Sequence, residues 1–542
     1  MEKDPYKITT PLGEFDVNSG QCNAIDKIAE VLQRPLGKTL DENIFLLYGA
    51  GGTGKTACIQ NALIKARQEW DAIEKVGKMN KPPCPTNYVT FCAPTHTAKG
   101  ELMRAGNVDS KTLAAVLGAK PEFKNGVEVY KLTDYKEYEE KKIALPEIFN
   151  LKTLIVDESS MLGEREHEMI EQRLRERRSP IRIIFMGDYC QIPPVGDKPD
   201  SDGFAIDLRK DPQRSIGLLK VERTKNRDIT EMTLAYRGAI DFYNDMLDQE
   251  VPSLQSGLNI HHIIQSDDLK STENVRYHNS SRDFIHDFIE VFKQDPDNAR
   301  NAVIITYNNE KHENVVALTY GIRKQIYGSA ADHSLFLPGE PIFISSTIQA
   351  RCAGGGQIEL GTNERLIIKT ITRKVKNIPV GFGYKATVVK VPVYEISATD
   401  KDNNLVFIDA MDRSFSDQLV SANYNKIARG YILNDGTVFS YANFKNLQMA
   451  GVTNIYHGYL LSSHKVQGGT YNHPFVAETN IKKLVGMTGN DGQPLVTAKQ
   501  YAQTMYTALS RARDKVYILD TRSDGLEYNF KKPNKDTAAV AA

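Results

Sequence analysis

The sequence lacks several features that mark specialised classes of protein. Its 542 residues include a single tryptophan and six cysteines, with no C-x-x-C pair and no Cys/His cluster at zinc spacing. The thiols are therefore expected to be reduced, as they are in a reducing compartment. No apolar run approaches the ~18 residues of a membrane span. The polar start MEKDPYKITT has no signal-peptide core, so we expect a cytoplasmic protein without a membrane partner.

An excess of charge of one sign is absent as well. Lysine plus arginine number 68, aspartate plus glutamate also number 68, and the formal net charge is +0. Such a surface does not attract nucleic acid as a whole, so any basic binding surface must be a local groove. Hydrophobic residues make up 41% and charged residues 25%, which is ordinary for a globular protein, and the length predicts several domains.

Short apolar segments alternate with longer amphipathic segments along much of the chain. Strand candidates lie at 43–48, 87–92, 153–158 and 181–186, and a second set lies at 301–307, 457–465, 473–478 and 515–520. This alternation predicts two α/β lobes with parallel sheets. In such sheets the ligand binds at the carboxyl ends of the strands.

Two segments interrupt this alternation. Residues 119–150 contain two β-rich runs around Asn125-Gly126, the strongest short signal for a hairpin. Residues 369–455 are rich in Val, Ile, Tyr and Thr with several turn signals, which predicts a small β-barrel. The predicted domains are therefore a first lobe at 1–118 and 151–238, its hairpin insertion at 119–150, a second lobe at 239–368 and 456–542, and its β insertion at 369–455.

A phosphate-binding loop follows the first strand candidate. GAGGTGKT (49–56) fits the pattern G-x-x-x-x-G-K-[ST]. Backbone N–H groups of such a loop wrap a triphosphate, while its lysine reaches the β- and γ-phosphates and its last hydroxyl binds Mg²⁺. The residues assigned to the nucleotide are Gly49, Gly51, Gly52, Thr53, Gly54, Lys55 and Thr56, with Thr56 also a metal ligand.

Acidic residues follow a later strand candidate in LIVDESS (154–160). Asp157 is placed to hold Mg²⁺, and Glu158 is placed to polarise the water that attacks the γ-phosphate. A glutamate directly after the aspartate indicates ATP hydrolysis rather than phosphoryl transfer to a small molecule.

The segment GDYCQIPPVG (187–196) follows the strand candidate at 181–186. The strand end is expected to bring Asp188 and Gln191 beside the γ-phosphate. A neutral amide there can accept a hydrogen bond from water and donate one to a phosphate oxygen, so Gln191 is a candidate γ-phosphate sensor. The alternative is a proline-rich loop whose glutamine is merely solvated.

Six further segments occur in an order typical of one family. They are NSGQ (18–21), APTHTAKG (93–100), SKTLAAVLG (110–118), LLKVERTKN (218–226), LLSSHKVQGGTYN (460–472) and YTALSRARDKVYIL (506–519). With the three motifs above, they resemble the motif set of superfamily 1B DNA helicases, the 5′→3′ branch that includes RecD-like and Dda-like enzymes. The sequence departs from the family at Thr224, Ser463 and Val466, where Gln, Thr and Ser are usual.

This resemblance implies roles for several residues. Gln21 would read the adenine, Gln467 and Gly468 would lie at the nucleotide, and Arg223 and Arg511 would face the γ-phosphate, Arg511 as an arginine finger. For either arginine the alternative is a surface ion pair. The residues that the resemblance places along the nucleic acid are Pro94, Thr95, His96, Thr112, Thr306, Asn308, Ser463, His464 and Lys465.

The resemblance also implies a fold: two RecA-like P-loop lobes, a hairpin called the pin in the first and an SH3-like β-barrel in the second. Phe123 and Tyr130 of the hairpin would stack on the last base pair of a duplex. The competing interpretation is a hairpin packed on its own lobe.

The leading hypothesis is an ATP- and Mg²⁺-dependent DNA helicase that moves 5′→3′ and serves replication, recombination or repair. Its expected partners are single-stranded DNA, junctions of single- and double-stranded DNA, and single-strand-binding or replication proteins. We expect a monomer associated with the nucleoid. Two alternatives stay open: an RNA helicase or nucleoprotein-remodelling ATPase, and a nucleotide-gated scaffold without hydrolysis.

Overall fold

The computed structural model describes most of the chain and divides it into two compact units. The described residues are 7–10, 13–75, 84–124, 127–177, 179–193, 206–221, 226–248, 271–307, 313–345, 347–380, 387–412, 431–432, 438–439, 452–485 and 496–520. Unit 1 comprises Met1–Lys124, Glu128–Ile264 and Val496–Ser510, and unit 2 comprises Asn125–Val127, Gln265–Leu495 and Arg511–Ala542.

The N-terminal half alternates strands with helices. Its strands are β1 (Lys7–Thr10), β2 (Gly13–Asp16), β3 (Ile44–Gly49), β4 (Val89–Ala93), β5 (Ser110–Thr112), β6 (Ala119–Lys124), β7 (Val127–Leu132), β8 (Thr153–Val156), β9 (Arg182–Gly187) and β10 (Ser215–Leu218). Its helices are α1 (Ser19–Gln33), α2 (Lys55–Lys75), α3 (His96–Gly106), α4 (Leu113–Leu117), α5 (Tyr135–Glu140), α6 (Glu164–Glu176), α7 (Ile206–Arg209) and α8 (Arg227–Asp248). Short 3₁₀ helices lie at Asp41–Asn43, Glu147–Asn150 and Ser159–Met161.

The C-terminal half contains more strands than helices. Its strands are β11 (Val275–His278), β12 (Ala302–Thr306), β13 (Pro341–Ile344), β14 (Ile348–Cys352), β15 (Gln357–Leu360), β16 (Arg365–Val380), β17 (Thr387–Thr399), β18 (Leu405–Met411), β19 (Tyr431–Ile432), β20 (Val438–Phe439), β21 (Val452–Thr453), β22 (Ile455–His457), β23 (Leu460–Ser462), β24 (His473–Val476) and β25 (Val516–Leu519). Its helices are α9 (Ser281–Gln294), α10 (Glu313–Tyr327), α11 (Ala330–His333), α12 (Ser463–Val466), α13 (Glu478–Val485) and α14 (Ala498–Leu509).

Unit 1 is built on a parallel sheet with the order β10-β3-β9-β8-β4-β5. Successive side chains of a strand point to opposite faces, and both faces of this sheet are covered. Phe45 and Leu47 pack with α1 and α2, whereas Ile44 and Leu46 pack with α4 and α6. The four strands predicted for the first lobe are confirmed, and the sheet has the doubly wound form expected of a P-loop lobe.

The predicted hairpin is present as β6 paired with β7. Its base is fixed by Arg173 of α6, which is fully buried and donates to Leu117 O at 2.7 Å and to Thr133 O at 2.9 Å. These two carbonyls lie just before β6 and just after β7, so one guanidinium holds both ends of the insertion.

Unit 2 contains a second parallel sheet, with the order β11-β25-β24-β12-β23. Helix α9 covers it with a run of phenylalanines, of which Phe284 and Phe288 each meet the ring of Phe475 at 5.3 Å. Three of the four strands predicted for the second lobe are confirmed, and the fourth, at 457–465, contains the short strand β23 but enters α12 at Ser463. A second α/β lobe with a parallel sheet is therefore present.

Apart from the separate pair β19–β20, the remaining strands of unit 2 form a mainly antiparallel sheet that fits the predicted β insertion. Its order is β15-β14-β18-β17-β16-β13-β22, and β21 pairs with β18. The strand of this sheet that comes first along the chain, β13, begins at Pro341, ahead of the predicted start of the insertion at residue 369. The sheet is held to the α/β part of unit 2 by Arg365, whose guanidinium donates to three backbone carbonyls.

Helix α14 clusters with unit 1, although the sequence assigned residues 456–542 to the second lobe. It packs along α8, where the rings of Tyr501 and Tyr236 meet at 6.3 Å. The chain thus enters unit 1 at Val496 and returns to unit 2 at Arg511. No described helix is both long and apolar enough to cross a bilayer.

Candidate active site

Three of the sequence motifs follow neighbouring strands of the parallel sheet in unit 1. Strand β9 lies between β3 and β8, with Tyr48 opposite Gly187 and Val156 opposite Phe185. The strands are parallel, so their carboxyl ends lie along one edge of the sheet. The P-loop, the Asp157-Glu158 pair and the turn after Gly187 therefore stand side by side.

The P-loop is a compact turn between β3 and α2. Lys55 curls back over it and donates from Nζ to Gly49 O at 2.8 Å and Ala50 O at 3.1 Å. Gly54 has a φ of +87°, and a Cβ there would lie 2.7 Å from Gln21 Nε2, so only glycine fits. The loop opens into the N-terminus of a 21-residue helix, which favours an anion. These features fit a nucleotide phosphate.

Gln21 supports the P-loop from α1. Its backbone N–H donates to Asn18 Oδ1 at 3.0 Å, and its side-chain Oε1 accepts from Asn18 N at 3.1 Å, which forms a capping box. Its Nε2 donates to Thr53 O at 3.0 Å. Only 6% of the residue is exposed. Gln21 therefore braces the loop, and its contact with adenine stays a prediction.

The turn after β8 holds its two carboxylates in a defined geometry. Asp157 N donates to Cys92 O at 2.8 Å, which continues the pairing with β4. Glu158 N donates to Asp157 Oδ1 at 2.9 Å, and Glu158 has a φ of +48° in the left-handed region. A non-glycine residue in that region is uncommon and costs energy, and such residues cluster at functional sites. Both side chains are half-buried.

The turn after β9 is largely buried. Gln191 is 3% exposed, and its backbone N–H donates to Asp188 O at 3.1 Å. The sequence placed Asp188 and Gln191 together beside the γ-phosphate. In the structure, the carboxylate of Asp188 accepts hydrogen bonds from Arg237, at 2.8 Å, and from the hydroxyl of Tyr506. Asp188 is therefore a structural neighbour of Gln191 and is occupied by protein partners.

Sequence reasoning missed Arg237 and Tyr506. Both lie in helices, at positions that the hydrophobic pattern alone assigns to packing. A buried aspartate needs a partner, but the sequence does not say which of 68 cationic residues supplies it. The pairing joins residues far apart along the chain, and the folded structure alone reveals it.

Thr56 and Asp157 are the predicted ligands of Mg²⁺. Among the residues that the structure describes, no three His, Cys, Asp or Glu side chains are close enough to hold a metal ion by themselves. Magnesium commonly takes one or two protein carboxylates plus phosphate oxygens and water. The donor set therefore fits an ion brought in with the nucleotide.

In unit 2, the two motifs assigned to the nucleotide pack together. Arg511 is 3% exposed, and its guanidinium donates to Gly469 O at 3.5 Å, the limit for a hydrogen bond. Tyr471 N donates to Arg511 O at 3.0 Å. Gln467 is 6% exposed, and Gly468 has a φ of +79° in the turn after α12. This packing fixes the backbone of Arg511 next to the segment that carries Gln467 and Gly468.

Two predicted nucleic-acid residues of unit 1 are helix caps. Thr95 Oγ1 accepts from Ala98 N at 3.1 Å, and Thr112 Oγ1 accepts from Ala115 N at 3.3 Å. A hydroxyl that accepts a cap bond keeps its own proton for a phosphate oxygen. Thr95 follows β4 and Thr112 ends β5, so the two caps lie on neighbouring strands. Pro94 and His96 flank Thr95 and are half-buried.

The nucleic-acid residues predicted in unit 2 differ in exposure. Thr306 is 1% exposed and Ser463 is fully buried, so both hydroxyls lie below the surface. His464 is half-buried, and burial lowers the pKa of its imidazole, which makes it a neutral group at pH 7. Lys465 Nζ lies 4.1 Å from the centre of the Phe343 ring, a cation–π distance. His464 and Lys465 are the better candidates for contact with a strand.

Three of the predicted site residues have no described side chain, and a fourth, Tyr130, lies at the hairpin. Arg223 and Asn308 lie outside the described residues, and Phe123 lies in β6 with its side chain undescribed. Tyr130 is half-buried and packs against the core beneath β8 and β9, and its carbonyl accepts a hydrogen bond from Arg165. That position agrees with a hairpin whose base packs on its own lobe.

Comparisons with known proteins agree with this site. The AAA_30 family model, an AAA domain, matches residues 20–248 and so includes all three strand-end motifs. A protein of Acanthamoeba polyphaga mimivirus, "Uncharacterized protein R530", is 23% identical over 545 residues, covering 92% of this chain and 99% of that protein.

Two solved structures follow a similar course along most of the chain. One is a Pif1 helicase from Candida albicans, with 15% identity, 94% of this chain and 95% of that chain covered, and a TM-score of 0.43. The other is a Pif1 helicase from Bacteroides in complex with ADP-AlF3 and ssDNA, with 15% identity, 92% and 91% covered, and a TM-score of 0.40.

Proposed function

We propose that this chain is a superfamily 1B helicase with an ATPase centre in unit 1, that it moves 5′→3′ along single-stranded DNA and that it separates duplex DNA. We place it in replication, recombination or repair, working as a monomer in the nucleoid on single strands and on junctions with duplex. Single-strand-binding or replication proteins are its proposed protein partners.

The observation that carries the proposal is the meeting of three motifs at one edge of the unit 1 sheet. Strands β3, β9 and β8 are neighbours, and they deliver Lys55, Gln191 and the Asp157-Glu158 pair, respectively. A phosphate-binding lysine, a carboxylate base and a buried amide sensor are the groups that hydrolysis of a γ-phosphate needs.

The proposed chemistry follows from the position of each group. Lys55 sits on two loop carbonyls, and we propose that it transfers to the β- and γ-phosphates when nucleotide enters. Glu158 accepts the proton of the attacking water, and Asp157 with Thr56 would hold Mg²⁺, which neutralises charge on the phosphate oxygens. Gln191 senses the γ-phosphate. Arg511 supplies the positive charge that stabilises the transition state.

Movement along a strand requires nucleic-acid contacts that depend on the nucleotide state. In unit 1, Thr95 and Thr112 are held as caps at the ends of β4 and β5; β4 pairs with the catalytic strand β8, and β5 pairs with β4. We propose that their hydroxyls bind phosphates of the strand without reading sequence. The hairpin β6–β7 is the proposed wedge between the strands, since Arg173 fixes both of its ends.

Replacing Lys55 with alanine tests the ATPase centre. We expect Lys55→Ala to lower DNA-stimulated phosphate release by ~100-fold or more, because the charge that stabilises the transferring phosphoryl group is lost. Unwinding should fall in parallel, while binding to single-stranded DNA should persist.

The matched control is Lys152→Ala, which removes an exposed lysine just before β8 and should leave both activities unchanged. Unwinding at the wild-type rate by Lys55→Ala would contradict the proposal. Failure of the wild-type protein to release phosphate with saturating single-stranded DNA would favour the scaffold alternative.

A further inference from the structure

A buried polar cluster lies directly behind Gln191 in unit 1. We define the triad as Asp188, Arg237 and Tyr506, which come from the turn after β9, from α8 and from α14. Arg237 Nη1 donates to Asp188 Oδ1 at 2.8 Å and to the hydroxyl oxygen of Tyr506 at 3.0 Å. The Tyr506 hydroxyl in turn donates to Asp188 Oδ2. The three groups therefore bond one another in a closed triangle.

The triad is shielded from water and satisfied internally. Asp188 is fully buried, Arg237 is 7% exposed and Tyr506 is fully buried. Burial is the largest single influence on Arg237 and opposes its charge, but Asp188 together with Cys190, Tyr506 and Tyr189 raises the pKa of the guanidinium. Burial, together with the same carboxylate, raises the pKa of Tyr506 well above its ordinary value. Both shifts favour the protonated forms, so the Arg237 guanidinium and the Tyr506 hydroxyl keep the protons that they donate within the triad.

A tyrosine next to the triad ties one more helix, α7, to it and adds a second contact with α8. The Arg209 guanidinium lies 3.5 Å from the centre of the Tyr189 ring, and the Arg237 guanidinium lies 4.9 Å from the same centre. Its hydroxyl donates to Asp241 Oδ1 at 2.8 Å. Helices α7 and α8 are therefore both anchored to the residue between Asp188 and Cys190.

Helix α14 holds the sensor turn on both sides of Gln191. Tyr506 binds Asp188, which precedes Gln191, and Thr507 Oγ1 accepts from the backbone N–H of Ile192, which follows it, at 3.1 Å. Two successive residues of α14 thus form hydrogen bonds with the two ends of the turn at 188–192. The same helix ends at Leu509, and the chain then leaves unit 1 at Ser510 and continues as Arg511.

We propose that Asp188, Tyr506 and Thr507 are positioning residues that couple the Gln191 turn to α14, so that the γ-phosphate sensor and the helix leading to Arg511 shift as one piece. The inference rests on the proposed function, because it takes Gln191 and Arg511 as the groups that face the γ-phosphate. It assigns a role to α14 that is distinct from any contact with nucleotide or nucleic acid.

Thr507→Val and Tyr506→Phe test this coupling, because each removes one hydroxyl and keeps the shape of the side chain. We expect each to lower kcat for DNA-stimulated ATP hydrolysis by about tenfold, equivalent to ~1.4 kcal/mol. The KM for ATP should stay at the wild-type value, because the P-loop is untouched. Thr507→Ser keeps the hydroxyl and should restore kcat.

The matched control is Thr504→Val in the same helix. Thr504 Oγ1 donates only within α14, to Gln500 O at 2.7 Å, so its loss weakens the helix without touching the Gln191 turn. Wild-type kcat in Thr507→Val would overturn the inference. An equal loss of kcat in Thr504→Val would also overturn it, because the effect would then be one of helix stability.

Amide hydrogen exchange provides a readout that needs no hydrolysis. In the wild-type protein, a non-hydrolysable ATP analogue should slow exchange in peptides covering 188–192 and 498–509 together. In Thr507→Val, the slowing should remain at 188–192 and disappear from 498–509. Slowing of both peptides in the variant would overturn the coupling, whether or not the wild-type protein hydrolyses ATP. An inactive wild-type ATPase would instead overturn the proposed function.

Discussion

Glu158 is the side chain on which the proposed hydrolysis depends most directly. It follows Asp157 at the end of β8 and adopts a left-handed backbone conformation with φ +48° and ψ +41°. The bond from its own N–H to Asp157 Oδ1 holds that conformation. Left-handed backbone of this kind clusters at functional sites, which agrees with the proposal that the two acids serve different partners, a metal ion and a water molecule.

Glu158→Gln separates binding from hydrolysis. The amide keeps the size of the side chain but cannot accept the proton of the water, so we expect phosphate release to fall by ~100-fold or more. Affinity for a fluorescent ATP analogue, measured by anisotropy, should remain near that of the wild-type protein.

The control is Glu168→Gln, an exposed glutamate of α6, which should hydrolyse ATP normally. Hydrolysis at the wild-type rate by Glu158→Gln would show that another group is the base.

Much of the site at this scale could be predicted because each motif carries its own chemistry. A glycine loop with a lysine, an acidic pair and an amide were each assigned to strand ends, and the structure puts them there. The partners of Asp188 were not predictable, since Arg237 and Tyr506 meet it only through the packing of α8 and α14. The buried positions of Thr306 and Ser463 also depend on packing, which a short motif does not encode.

A single arginine joins the antiparallel sheet of unit 2 to its α/β part. Arg365, at the start of β16, donates to Gly458 O at 2.8 Å, Ala299 O at 2.6 Å and Ala302 O at 2.7 Å. The side chain lies in the interior, and burial lowers the pKa of its guanidinium to about 10. The three bonds offset part of the cost of enclosing the charge.

Arg365→Met should therefore destabilise unit 2 strongly. Three buried carbonyls lose their donor, so we expect the free energy of unfolding to fall by ~3 kcal/mol or more. Urea denaturation followed by circular dichroism measures the loss.

Arg351→Met removes an exposed arginine of β14 in the same sheet and should change stability by less than ~0.5 kcal/mol. Equal losses in the two variants would contradict the assigned role of Arg365.

The strands that the sequence failed to predict share physical features. β5 reads Ser-Lys-Thr and β10 reads Ser-Ile-Gly-Leu, so neither presents an apolar run. β11 reads Val-Arg-Tyr-His and lies at one end of its sheet. They are strands because a neighbouring strand offers hydrogen bonds, an effect of tertiary context that short segments do not show.

For the whole molecule, the absence of net charge shapes how it should meet nucleic acid. With 68 residues of each sign, the proposed attraction to DNA must come from a few local contacts, so affinity should depend on salt only as steeply as those contacts require. The hydroxyls of Thr95 and Thr112 and the amine of Lys465 suit such sequence-independent binding. A translocating protein needs contacts that hold every sequence equally and release them in each cycle.

Unwinding of paired tailed duplexes tests the central claim most directly. The substrates are one DNA duplex with a 5′ single-stranded tail, the same duplex with a 3′ tail, and versions whose tail is RNA. With ATP and Mg²⁺, we predict rapid separation of the 5′-tailed DNA, little separation of the 3′-tailed DNA, and weaker activity on RNA tails. Efficient separation from the 3′ tail, or from RNA tails alone, would contradict the proposal of a 5′→3′ DNA helicase.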